Sequence, residues 1–178
     1  MQLIYLHGAP AVGKLTVSKH LVELIGARLF DNHVAIDLAR SVLDFEQDGF
    51  WELVTRARLL VLETTALQNV PLVILTSCYS DTEDRETLEA YEKTLGRFNA
   101  KILPVFLHCS KKEMRRRVRN PDRKERQKIS TEADLEQFIC ETLCTPIPRE
   151  NCFKISTENT SPRDTAEKII KRFNLQAK

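Results

Sequence analysis

Gly8-Ala9-Pro10-Ala11-Val12-Gly13-Lys14 sets two glycines and a lysine at the spacing G-x-x-x-x-G-K. An apolar run, Leu3–Leu6, stands just before it and a helical pattern opens at Lys14, the context such a loop requires. The chemistry is that of phosphate. Successive backbone N–H groups can curl around an anion, and the start of a helix adds partial positive charge. Gly13 permits a close backbone approach or a positive φ that a side chain would block. Lys14 supplies a compact charge for β- and γ-phosphates. Two of only five glycines in the chain are used here. After the lysine, where a hydroxyl commonly meets magnesium, stands Leu15, which cannot bind a metal. Thr16, one residue on, is the candidate hydroxyl for phosphate or metal; otherwise magnesium is held through water and phosphate oxygens.

The elements that must position this loop alternate. Leu3–Leu6, Leu72–Leu75, Val105–His108 and Phe153–Ser156 read as buried strands. Pro104 is expected at the start of its strand rather than inside it. Helices are expected from Lys14 to Ile25, closed by Gly26, and across Phe50–Gln68, closed by Pro71. Ser80 and Glu83 read as a capping box opening a helix that runs to about Phe98. Thr131 and Asp134 cap a helix whose buried face is Leu135, Phe138, Ile139 and Leu143. Ser161-Pro162-Arg163-Asp164 starts the last helix, which buries Ala166, Ile169, Ile170 and Phe173. Strands alternating with helices imply a parallel α/β sheet covered on both faces, with ligands at the carboxyl ends of the strands.

The 178 residues suit about one domain at ~100–200 residues each. Hydrophobic residues at 42% and charged residues at 29% match globular chains and argue against a disordered or fibrous one. No apolar run reaches the ~18 residues of a membrane span, and Met1–Tyr5 lacks a signal core, so a cytoplasmic location is expected. The five cysteines, Cys78, Cys109, Cys140, Cys144 and Cys152, form no CxxC pair and read as free thiols. Cys140 and Cys144 are expected four residues apart on one helix, without a flanking His for a zinc site. His7, His20 and His108 read as structural. The net charge of +2 conceals an asymmetry: residues 111–128 hold ten basic and three acidic side chains, leaving the rest of the chain acidic. One local cationic device fits a partner with concentrated negative charge, and the acidic remainder argues against an extended nucleic-acid track.

The G-K-L-T loop, the order of elements and the following Asn32-His33 segment resemble the small P-loop kinases, the shikimate-kinase and nucleoside-monophosphate-kinase group. That resemblance implies a three-layer P-loop NTPase fold with a five-stranded parallel sheet, a lid at about 115–131 and an acceptor region at about 31–60. It implies that Gly8–Thr16 binds ATP with Mg2+. Asp31 takes the place of the first acid of an Asp-x-Asp pair and would serve magnesium with Thr16. His33 stands where the second acid contacts the acceptor, a departure that speaks against shikimate itself, and Asp37 is a weaker alternative. The glycine-rich stretch of shikimate kinases is replaced by Thr76-Ser77-Cys78-Tyr79-Ser80-Asp81, of which Thr76, Ser77 or Tyr79 would line the acceptor pocket. In the lid, Arg119 and Arg123 would hold phosphate and Arg115 or Arg116 the base. Residues 156–162 resemble the loop lining the adenine pocket. Arg56 and Arg58 could hold an anionic acceptor, whereas Trp51 beside them reads as core. The expected protein is an ATP-dependent kinase of a small molecule. Its rivals are a nucleoside monophosphate kinase and a nucleotide-binding regulatory or RNA-binding protein without turnover.

Overall fold

Strand β1 (Gln2–His7) runs through the middle of the molecule, hydrogen-bonded in parallel to β3 (Leu72–Ser77) on one side and β4 (Lys101–His108) on the other. The short β2 (Arg28–Phe30) joins β3, and β5 (Phe153–Ser156) joins β4, giving a five-stranded all-parallel sheet in the order β2-β3-β1-β4-β5. This computed structural model describes residues 1–176. The parallel α/β class is as the alternating pattern predicts, and the count of five strands is as the resemblance implies.

Residue alternation along β1 divides the core. Ile4 and Leu6 face one side, with Val17 and Leu21 of α1 (Lys14–Ile25) and Ala166 and Ile169 of α8 (Pro162–Phe173). Leu3 and Tyr5 face the other, with Ala35 of α2 (Asn32–Arg40), Val54 and Leu62 of α3 (Phe50–Leu67) and Leu88 of α4 (Arg85–Gly96). Each fully buried leucine among these contributes roughly 1.5–3 kcal/mol. The remaining helices, α5 (Lys111–Val118), α6 (Pro121–Glu125) and α7 (Glu132–Glu141), carry the basic segment between β4 and β5. Gly26 closes α1 in the left-handed conformation, and Thr131 and Ser161 accept the N3 amides of their helices as expected.

Four local expectations are corrected. Pro104 lies inside β4, not at its start; β5 begins to pair only at Val105, so the missing N–H falls where that flank of the strand is still an edge. Helix α4 starts at Arg85, because residues 80–84 form a tight turn in which Asp84 accepts the Ser80 amide and the Ser80 hydroxyl meets Thr82. Helix α7 ends at Glu141, ahead of Pro146 and Pro148, leaving Leu143 exposed and Cys144 off the helix. Trp51 is half exposed at 51%, edge-on to Phe45 and Phe50, rather than core. The nine-residue α2, directly after β2, is an addition to the sequence reading.

Candidate active site

The loop between β1 and α1 is held by constraints that only its own residues meet. Gly8 adopts φ +143°, and a Cβ there would come 2.2 Å from the Leu107 carbonyl oxygen. Gly13 adopts φ +97°, and even Ala11 is left-handed at φ +65°. Pro10, Ala11 and Val12 are buried, and Thr157 at the end of β5 donates to the Val12 carbonyl at 2.9 Å. Lys14 arches over the mouth of the loop, its ammonium donating to the carbonyls of Gly8 at 2.6 Å and Ala9 at 2.8 Å. Leu15 lines a neighbouring cleft, while Thr16 is exposed on the first turn of α1.

Asp31 caps the space between β2 and α2. Its Oδ1 accepts from the Thr76 hydroxyl at 2.6 Å, and Oδ2 pairs with Lys128 at 3.4 Å. Burial alone would raise its pKa, but the Thr76 hydrogen bond, then the charge of Lys128, hold it below the ordinary carboxylate value. Asp31 is therefore ionised at neutral pH. The Thr76 hydroxyl also receives the Asn32 amide, and Asn32 accepts from Arg58 at 2.5 Å, so one chain of contacts joins β3, α2 and α3. His33 is half buried, with Nδ1 lacking a hydrogen-bond partner. Burial, reinforced by Lys128, pushes its pKa down and keeps the imidazole neutral. Asp31, His33, Asp37 and Arg40 share a cleft of about 760 Å³ with Leu15 and Lys128.

Of the ten basic side chains in residues 111–128, only Arg117, Arg123 and Lys128 turn away from solvent. Arg117 donates to the Thr157 carbonyl at 2.6 Å and passes beside Gly13. Arg123 donates to the Ile129 carbonyl at 2.7 Å, and burial lowers its pKa. Lys128 reaches Asp31. The other lid candidates lie outward: Arg115 pairs with Glu136, Arg116 with Glu113, and Arg119 with Glu132. Arg117 and Lys128 hold inward positions that charge counting passed over. Met114 and Val118 are buried on α5, and that helical phase places Arg117 on the same inward side, a signal present in the sequence. Lys128 follows no such period.

The loop after β3 turns mostly inward. Ser77 bonds Tyr5, and Tyr79 is buried with its hydroxyl on Asp81. Cys78 lies at the Lys14 ammonium, 3.8 Å away. In the loop after β5, Glu158 accepts from the amide and hydroxyl of Ser110 at the start of α5. His7 is fully buried, and burial, followed by the nearby Lys14 charge, lowers its pKa to about 3. Arg56 is exposed toward Glu52. Among the described residues no three His, Cys, Asp or Glu side chains cluster as a metal cage, and no helix is long and apolar enough to cross a membrane.

No protein-family model matches this sequence. No curated protein matches it either. Solved structures do. A sugar kinase from Janibacter sp. superposes with a TM-score of 0.68 at 15% identity, over 98% of this chain and 95% of that one. The APS kinase of Mycobacterium tuberculosis, solved with AMPPNP and APS, gives 0.64 at 14% identity over 97% of each. Shikimate kinase from Acinetobacter baumannii gives 0.56 at 24% identity, over 97% of this chain and 92% of that one. With β1 at the sheet centre and the glycine loop at its carboxyl end, the chain has the fold of the P-loop small-molecule kinases.

Proposed function

We propose that this chain is an ATP-dependent phosphotransferase acting on a small hydroxylated molecule. The observation that carries the reading is the loop Gly8–Lys14 at the carboxyl end of β1, with positive φ at Gly8, Ala11 and Gly13, Lys14 across its mouth and Arg117 beside Gly13. Phosphoryl transfer asks mainly for positioning and for cations around the moving group. In this reading the loop amides and Lys14 hold the phosphates of ATP. Residues 115–131 act as a lid that brings Arg123 and Lys128 over them and excludes water. The acceptor lies in the region 31–60, where the neutral His33 can take its hydroxyl proton. Magnesium would supply charge neutralisation at the phosphates, and Asp31, an ionised carboxylate beside the loop, is the side chain that would bear on it; the donor set suits an ion held largely by phosphate and water.

A nucleoside monophosphate acceptor is the less favoured alternative. Arg58 is engaged with Asn32 and Arg56 faces Glu52, so neither is poised as part of a phosphate clamp. A nucleic-acid role is also less favoured, because three of the outward arginines are paired with glutamates. ATP turnover is measured with magnesium over a panel of sugars, hydroxy acids and nucleoside monophosphates, for the wild type and Lys14→Ala. Acceptor-dependent ADP release that falls about 10³-fold in a folded Lys14→Ala protein supports the reading. Preserved turnover in that variant would sink it.

A further inference from the structure

Cys78 sits at the carboxyl end of β3 with its sulfur 3.8 Å from the Lys14 ammonium. Cys144, freed by the early end of α7, is brought beside it by the residue that follows, Thr145, which bonds the residue after Cys78. The approach is pinned by backbone. Thr145 donates its amide to the Tyr79 carbonyl at 3.0 Å, and the Asp81 amide donates to the Thr145 hydroxyl at 3.2 Å. Neither thiol has a part in the proposed phosphoryl transfer, and both are half buried. Two thiols held together beside a fixed cation differ from the other three cysteines, of which Cys140 is exposed on α7, Cys109 leads into α5, and Cys152 meets the ring of His7.

We propose that Cys78 and Cys144 form an oxidant-reactive thiol pair, taking a hydroperoxide as co-substrate, whose disulfide weakens nucleotide binding at Lys14. The Cys78 thiolate attacks one oxygen of the peroxide, breaking the O–O bond and leaving Cys78 as a sulfenic acid with hydroxide released. The Cys144 sulfur then displaces that oxygen as water after proton transfer, forming the S–S bond; two thiols are oxidised and one peroxide is reduced. The environment suits the roles. The hydrogen bond from Cys144, outweighing burial and helped by Lys14, pulls the Cys78 thiol below its ordinary value, while the same contact and burial push Cys144 up. In the disulfide, the segment around Thr145 is tied covalently beside Lys14, which restricts the swing of its ammonium from the Gly8 and Ala9 carbonyls toward a bound phosphate.

Only this last consequence rests on the nucleotide reading. The full chain is reduced, treated with hydrogen peroxide, alkylated and mapped by peptide mass spectrometry, and the two redox forms are titrated with ATP. The Cys78–Cys144 disulfide is expected as the dominant product, formed at least tenfold faster than any pair containing Cys140 and reversed by dithiothreitol. In Cys144→Ser the reaction is expected to stop at a Cys78 sulfenic acid trapped by dimedone. ATP affinity should fall at least tenfold on oxidation. Disulfide formation in a protein that binds no ATP in either form supports the thiol chemistry and overturns the nucleotide reading. Oxidation first at Cys140, or no disulfide in a reduced protein that binds ATP, overturns the thiol pair and leaves the kinase reading standing. An unchanged ATP affinity after complete oxidation overturns the proposed effect on Lys14.

Discussion

The loop 8–14 and the basic segment 111–128 both address negative charge, and they do it by opposite means. The loop works through backbone: Gly8 packs on the Leu107 carbonyl, Gly13 and Ala11 hold positive φ, and one lysine crosses the mouth. Almost every residue there is forced by geometry. The basic segment has ten cations, but Glu113, Glu132 and Glu136 answer several of them on the surface, and three alone turn inward. Local charge is therefore a poor measure of charge at the site; burial selects which cations matter.

The sharpest way to break this contrast is Gly8→Ala. A methyl at 2.2 Å from a strand carbonyl cannot be absorbed by side-chain movement, so a loss of about 3 kcal/mol or more is expected in chemical denaturation, with nucleotide binding lost alongside. Unchanged stability would mean that the loop is not the rigid partner. Next come Arg123→Ala, expected to lower turnover by about 10²-fold at unchanged melting temperature, and Lys128→Ala, expected to lower it by a similar factor together with the melting temperature, because Asp31 is left buried without its ion pair. An effect of this size in Arg119→Ala, where less than about twofold is expected for an exposed ion pair, would erase the division between inward and outward cations.

Proton linkage sharpens the loop side further. His7, buried just ahead of Gly8, is held neutral with a pKa of about 3, while the unfolded chain protonates near 6.5. The unfolded state binds the extra proton between those values, so stability is full above 6.5 and is lost as pH falls. A decline of about 2 kcal/mol from pH 6.5 to about pH 5 is expected in denaturant titrations, flattened in His7→Gln. An equal slope in that variant would remove His7 as the cause.

The same contrast explains what was legible beforehand. Gly8, Gly13 and Lys14 are recognisable because backbone shape demands those residue types at fixed spacing. Helix α1 and the caps at Gly26, Thr131 and Ser161 are equally local, and they match residue for residue. Asp31 is singled out by the resemblance to kinases that carry an Asp-x-Asp pair at that place, but its partners Thr76 and Lys128 lie 45 and 97 residues away, and no local pattern encodes them. Pro104 misled because strand pairing is a property of two segments, and the place where β5 begins cannot be read from β4. The meeting of Cys78 with Cys144 depends on where α7 stops, which two downstream prolines decide more strongly than the helical period does.

The sheet order has a consequence for how the chain acquires its shape. β1 is synthesised before either of its neighbours, and its residue Gln2 pairs with Leu72 and Lys101. Those pairings close long loops, which slows folding and favours late docking. The glycine turn at residues 8–13 is therefore written first and completed late, once β4 brings Leu107 against Gly8. Until then the apolar strand ahead of it has only β3 beside it, and a nascent chain paused before residue 101 would expose its other edge to chaperones or to other unpaired strands.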